Sequence, residues 1–439
     1  MGEANGNGAA PTIGLVLPGG GARGAYEAGA LSILLPALEA RGERVSVVCG
    51  TSVGAINAAL LASLAGLPAD AQAEAILARW RSVRRGDILA RLISPRLPLR
   101  LARLVGEALG LPGMRLTNLL DPSPLRGSLD RWIDWGEVAS NVRSGRIRSL
   151  AVVATSLSRG RPVAFVHGRG PALRPAGDEE IGYVKTTIGP EHVRASAAIP
   201  ILFPPVRVDA PKSAAGWYVD GGTRLNSPLK PALALGADRV LVVAFEPLLR
   251  RPATVGEDDH PHLADVAANV LDGLLVDQVV DDVHRLAAVN AFFVEDQTTG
   301  GSPAARSYRT VRGRAPYRKV SYALVAPEEH GTIGRLAAEH LAARYGGLSA
   351  LREPDYALFS LLLGGQRASR GELLSFLFFD EEYIGALIDA GRSDAVRWLD
   401  RHPRLWCADP AHDLGMDVGD ATALREGRAL EEWREMRRR

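Results

Sequence analysis

Two glycine-framed turns, Gly19-Gly20-Gly21-Ala22-Arg23-Gly24 and Gly50-Thr51-Ser52-Val53-Gly54, start about thirty residues apart, each directly after a short apolar run. The runs, Ile13 to Leu17 and Val45 to Cys49, are of strand length and carry no polar face, so they read as strands buried on both sides. A helical pattern follows each turn. From Gly24 to Ala40, Tyr26, Ala30, Ile33 and Leu34 share one face, and Val53 to Ala65 is apolar almost all round. Strand, turn and helix repeated in this way commit the start of the chain to an α/β fold.

The alternation continues. Leu150 to Ala154, Val163 to Val166, Trp217 to Val219, Val240 to Phe245 and Val320 to Val325 are further strand candidates, separated by helical stretches. The expected result is a three-layer α/β/α fold with a mostly parallel central sheet covered on both faces, plus a C-terminal helical extension. Residues 1–12 read as a disordered tail and 13–345 as the catalytic domain, with its motifs in 13–250 and a helical cap over about 68–148 broken by Pro95, Pro98 and Pro112. Residues 297–319 form a Gly/Ser/Arg/Pro loop. The extension, 346–439, holds short amphipathic segments at Glu372 to Phe379, Glu382 to Ala390 and Ser393 to Arg401, then a charged helix candidate from Ala421 to Arg439.

Composition narrows the class. Of 439 residues, 46% are hydrophobic and 23% charged, which suits a globular protein with a sizeable core. A formal charge of +2 argues against nucleic acid as the partner. The two cysteines, Cys49 and Cys407, form neither a disulfide framework nor a zinc pattern, and Cys49 reads as a buried core thiol, so no metal is expected. Residues 1–12, small, polar and Gly/Ala-rich, do not read as a secretion signal, and no apolar stretch approaches the ~18 residues of a membrane span. The expectation is a cytoplasmic protein, or one attached peripherally to the inner membrane surface.

The turns carry the chemistry. Ser52 sits in G-x-S-x-G between a strand and a helix, where a sharp bend lifts the side chain above the sheet edge. Gly50 and Gly54 remove Cβ atoms that would collide at that bend, and the helix from Val53 points its positive end at the serine. Gly19 to Gly24 offers consecutive backbone N–H groups that can hold an oxyanion; Arg23 is either a further anion ligand or a brace for the loop. The same glycines fit the dinucleotide fingerprint G-x-G-x-x-G. That motif needs an acid closing the second strand, where this chain has Cys49-Gly50-Thr51-Ser52.

A serine needs a base. Among the histidines after Ser52, His330 alone follows a strand in a suitable triad position. Asp220 is the better candidate, because in Tyr218-Val219-Asp220-Gly221-Gly222 it ends an apolar strand, and Gly221 and Gly222 let the chain turn while its carboxylate stays at the sheet edge. Partial burial would raise its proton affinity enough for it to serve as general base.

In order and context these motifs resemble the patatin-like phospholipase family: G-G-G-x-R-G at Gly19 to Gly24, G-x-S-x-G at Gly50 to Gly54, and D-G-G at Asp220 to Gly222. Ala195-Ser196-Ala197-Ala198-Ile199-Pro200, Phe203-Pro204-Pro205 and Asn226-Ser227-Pro228 agree with it, and the likeness spans roughly residues 13–250. The resemblance implies a Ser-Asp dyad of Ser52 and Asp220, an oxyanion hole from the backbone around Gly20 and Gly21, and hydrolysis of lipid acyl esters without metal or cofactor. Pro18 stands where plant members often carry an acid. A nonlipid esterase or thioesterase on the same scaffold, or a non-catalytic nucleotide- or phosphate-binding protein, are the alternatives.

Lipid substrates also need a surface. Between residues 79 and 115, Arg79, Arg81, Arg84, Arg85, Arg91, Arg96, Arg100 and Arg103 alternate with leucines and isoleucines, a mixture suited to a lid or interfacial helix on anionic lipid or to a plain helical cap. The sequence does not indicate an oligomeric state.

Overall fold

The computed structural model describes residues 10–90, 120–170, 180–200, 202–247, 319–345 and 368–407, with a few positions between 279 and 290. Expectations for the tail before residue 10, for 91–119, for 297–318 and for Ala421 to Arg439 lie outside these residues. Among the described residues nine strands form one sheet: β1 (Ile13–Leu17), β2 (Val45–Thr51), β3 (Ser149–Ser156), β4 (Arg161–Gly168), β5 (Gly182–Lys185), β6 (Val206–Val208), β7 (Gly216–Asp220), β8 (Arg239–Val243) and β9 (Ser321–Val325). The main order is β5-β4-β3-β2-β1-β8-β9, with β7 paired to β3 and β6 to β7.

The helices are α1 (Gly24–Glu39), α2 (Val53–Leu64), α3 (Ala69–Ser82), α4 (Ser123–Trp132), α5 (Trp135–Arg143), α6 (Pro190–Ser196), α7 (Thr332–Tyr345), α8 (Ala368–Leu377) and α9 (Glu381–Arg401), together with shorter turns. Alternate strand residues face opposite layers. Leu15, Leu17, Val48 and Val152 pack with α1, α2 and α9, whereas Val16, Cys49, Val242 and Tyr322 pack with Leu229, Ala232 and Val283. The protein is therefore a three-layer α/β/α sandwich. Among the described residues no helix is long and apolar enough to cross a membrane.

The sheet is mostly parallel, as expected; within it β3 runs antiparallel to both β4 and β7, and β6 is antiparallel to β7. The four residues after Ser156 turn the chain straight back into β4, leaving no room for a crossover helix. The short strands β5 and β6 carry too little apolar sequence to be recognised. Finally, Glu382 to Ala390 and Ser393 to Arg401 are one 21-residue helix, α9, capped by Asp380. Gly391, which reads as a break, is instead a point of contact. A Cβ there would lie 2.1 Å from the Tyr26 carbonyl oxygen, and one on Gly29 would lie 2.1 Å from that of Ile388. The two glycines let α1 and α9 cross almost backbone to backbone. Tyr26 donates its hydroxyl to Asp394 at 2.6 Å across the same crossing. The helices over 368–401 thus share one core with the glycine-loop helix.

Candidate active site

Ser52 and Asp220 are brought together by register. β4 occupies one edge of β3 along its whole length, from Ser149↔Gly168 to Ser156↔Arg161. On the other edge β2 runs parallel and ends with Thr51 opposite Val153. There β7 comes in antiparallel and ends with Asp220 opposite Ala154. Two strands from distant parts of the chain meet end to end on one edge, and each delivers its last side chain to the junction.

At the β2 end, Ser52 has φ +54° and ψ −122°, a conformation an L-residue adopts only under constraint. The constraint is visible. Its amide donates to Ser196 Oγ at 2.8 Å, and that hydroxyl donates to the Val153 carbonyl at 2.5 Å. Thr51 Oγ1 donates to the Leu225 carbonyl at 3.1 Å. A Cβ on Gly54 would stand 2.2 Å from the Leu17 carbonyl oxygen, so the turn between Gly50 and Gly54 closes only without one. Ser196→Ala will strand the Ser52 amide and the Val153 carbonyl. It should cost about 1–3 kcal/mol of stability by denaturant unfolding, and ester turnover should fall about tenfold or more.

Asp220 is buried, and burial pushes its carboxyl up to about 7, with hydrogen bonding from Ser52 and from the Gly222 amide acting in the opposite direction. Oδ1 accepts from the Gly222 amide at 2.7 Å. Oδ2 makes no hydrogen bond of regular geometry. The Ser52 hydroxyl therefore approaches the carboxyl near enough to influence it, but more loosely than a fixed hydrogen bond. Gly221 donates its amide to the Ser196 carbonyl at 3.3 Å and Asp220 its own to Ala198 at 2.8 Å, so the segment Ser196 to Ala198 braces both partners. His330, the histidine best placed in the sequence, pairs instead with Glu246, Nδ1 to Oε2 2.6 Å. Among the described residues no histidine bonds Ser52.

The glycine loop lies against the serine. A Cβ on Gly19 would be 2.9 Å from Ser52 Cβ, and the Gly19 amide is held by Asn226 Oδ1 at 2.9 Å. The amides of Gly20 and Gly21 have no partner among the described residues. The Ser52 amide is committed to Ser196, whereas these two loop donors are open to an anion. Gly21 sits at φ +58°, and a Cβ there would meet the Phe376 carbonyl oxygen at 2.1 Å. Ala22 and Arg23 are fully buried, and the Gly24 carbonyl accepts from Asn57 at 3.0 Å. Arg23 directs its side chain to α8. Its Nε donates to Ser375 Oγ at 2.7 Å and its guanidinium lies 4.2 Å from the Phe376 ring centroid. The α8 segment thus closes over the loop.

Beneath them Asn57 joins Glu27 (2.7 Å) to the Trp80 indole (2.8 Å), and burial holds the Glu27 carboxyl well above the usual range. Val53, Ile56, Leu60, Trp80, Phe376 and Leu377 wall an apolar pocket of about 50 Å³ whose lining includes Ser52 and Gly21. Cys49 and Cys407 are both buried. Among the described residues no cluster of His, Cys, Asp and Glu could hold a metal ion. Ser196 and Asn226 are the supporting residues that motif reasoning passed over, although both lie in stretches with a legible pattern; nothing in the sequence pointed to Phe376. Of the arginine-rich region, Arg79, Arg81, Arg84 and Arg85 are described, and Arg84 pairs with Glu381 on α9 at 3.0 Å. Arg91, Arg96, Arg100 and Arg103 lie outside the described residues.

Fold and site together define a three-layer α/β/α protein with a strained serine turn facing a buried carboxyl. Residues 15–233 match the family model described as patatin-like phospholipase, and over that span the chain belongs to this family of lipid hydrolases. No curated protein matches the chain. Solved structures similar to it include VipD from Legionella pneumophila, at 16% identity and a TM-score of 0.32 over 90% of this chain and 68% of that one. Another is the heterodimeric ExoU–SpcU complex from the type III secretion system of Pseudomonas aeruginosa, at 16% identity and a TM-score of 0.25 over 83% of this chain and 74% of that one.

Proposed function

We propose that the protein cleaves carboxylic esters of lipids by acyl transfer, with Ser52 as nucleophile and Asp220 as general base. The observation that carries this is the end-to-end meeting of β2 and β7, which sets a strained serine beside a carboxyl whose proton affinity lies near neutrality. An ordinary aspartate is too weak a base to take a serine proton effectively; one raised to about 7 is matched to the task.

In the first step Asp220 Oδ2 accepts the Ser52 proton as Oγ attacks the ester carbonyl. The Gly20 and Gly21 amides hold the oxyanion, each such donor contributing about 2.7–4 kcal/mol to the transition state. Collapse expels the alcohol, which takes the proton back from Asp220. Water then attacks the acyl-enzyme and gives a proton to the same carboxylate; as the acyl carbon–Oγ bond breaks, Asp220 returns that proton to Ser52 Oγ and the fatty acid leaves. The apolar pocket beside Ser52 supports an acyl chain as the group transferred.

A fluorophosphonate probe with mass-spectrometric mapping tests the nucleophile. The expected result is a single adduct on Ser52, lost in Ser52→Ala and slowed at least a hundredfold, to order of magnitude, in Asp220→Asn. Modification elsewhere, or none, would remove the hydrolase reading.

A further inference from the structure

Next to the apolar pocket is a wider depression of about 280 Å³. The two share Leu125, Ala197 and Phe203 in their linings, so the depression lies directly beside the pocket that Ser52 lines. The outer wall of the depression is made by Pro204 and by Trp217, an exposed large hydrophobic residue at 50% accessibility. Two arginines border it, and they differ in character. Arg207 is already paired with exposed Asp209 at 2.8 Å. Arg194, on α6, is half-buried and makes no ion pair or side-chain hydrogen bond among the described residues. Burial and then the nearby Arg126 charge lower its proton affinity, with Glu191 only partly offsetting them. Glu191 lies closer to His192, at 3.5 Å. A cation held partly out of water beside another cation is costly, and an anion entering the depression relieves both effects.

We propose that this depression binds the phosphate of the substrate's headgroup, with Arg194 as the main contact and Trp217 and Pro204 packing on the headgroup's carbon atoms, while the acyl chain enters the pocket at Ser52. The inference rests on the hydrolase reading and adds to it the residues, Arg194 and Trp217, by which this chain would tell a phosphate-bearing lipid from a neutral one. Arg is suited to this because its planar fork donates two parallel hydrogen bonds to phosphate oxygens.

The test compares kcat/KM for a short-chain lysophosphatidylglycerol below its micelle concentration with that for the monoacylglycerol of the same chain, using the full-length protein. Arg194→Gln should lower the ratio of the two about ten- to hundredfold, the range of a charge-assisted hydrogen bond, mainly through KM. Arg194→Lys should recover part of it. Trp217→Ala, at a half-exposed position, should lower the same ratio and serves if Arg194→Gln does not fold. An equal fall on both substrates, or no change in the ratio, overturns the proposal.

Calorimetry on Ser52→Ala with glycerophosphoglycerol and with inorganic phosphate separates the sources. Arg194-dependent binding that favours the glycerophosphodiester supports the headgroup assignment. Equal binding of inorganic phosphate with an unmoved kinetic ratio means a free-phosphate site and overturns it. Because this titration needs no turnover, it also decides the matter if no ester is cleaved; Arg194-independent binding, or none, then sinks the headgroup site separately from the hydrolase reading.

Discussion

Asp220→Asn should lose ester hydrolysis by about 10²–10⁴-fold and, at the same time, gain stability above neutral pH. Both effects come from one carboxyl. Its folded value is raised by burial from 3.8 to about 7, so the native state holds the proton more tightly than the unfolded chain. Stability from this group is therefore complete below about pH 4, declines as pH rises through the interval, and is lost above about 7. A shift of that size corresponds to on the order of 2–4 kcal/mol at pH 8, which asparagine does not forfeit. Activity runs the other way, since the base works only when ionised. Wild-type kcat/KM should rise as pH passes through about 7, while the contribution to thermal stability falls. Chemical denaturation of wild type and Asp220→Asn at pH 5 and pH 8, alongside a pH–rate profile, reads out both. An Asp220→Asn variant with near-normal turnover, or one destabilised at pH 8 relative to pH 5, contradicts the assignment.

Truncation after residue 345 should leave no cooperatively folded enzyme, although the family match ends at residue 233. Tyr383, Ile384, Leu387 and Ile388 on α9 are all essentially inaccessible, packed against α1. Each such side chain is worth about 1.5–3 kcal/mol, so these four alone supply about 6–12 kcal/mol. That is comparable to the whole stability of a typical domain, about 5–15 kcal/mol. The same cut takes away Ser375 and Phe376, which brace Arg23 and abut Gly21. Near-UV circular dichroism and a thermal melt of residues 1–345 check the outcome; a sharp transition with wild-type ester turnover would make the C-terminal helices accessory. Gly391→Val offers a point test of the same contact. Its side chain has no room beside the Tyr26 carbonyl, and it should lower the melting temperature by several degrees, for about 1–3 kcal/mol of overpacking.

Much of the fold could be read from local pattern. β1 and the start of α1, and β2 and the start of α2, are encoded within short windows: an apolar run, a glycine turn and a helical face. Such signals depend on the covalent neighbourhood, so they survive without knowledge of the partner strands. Gly391 shows the opposite case. A glycine inside a helix reads as a break, because its lost helix propensity is local, while the reason it is tolerated is Tyr26 more than 360 residues earlier in the chain. Phe376 likewise carries no motif, and its place beside Gly21 is a matter of packing alone.

By itself the sequence determined that this chain is an α/β protein with a serine turn between strand and helix, a glycine-rich loop and an acid at a strand end, since each is a short-range pattern of residue type and spacing; that Ser52 is buried in its turn was not legible there. Only the tertiary structure decided that the serine and the acid meet. That depends on β2 and β7 sharing one edge of β3, and strand register is a long-range property set by which apolar faces are buried together. It likewise decided that the last helices close over the glycine loop, because a helix records in its sequence that it has a buried face but not which surface covers it.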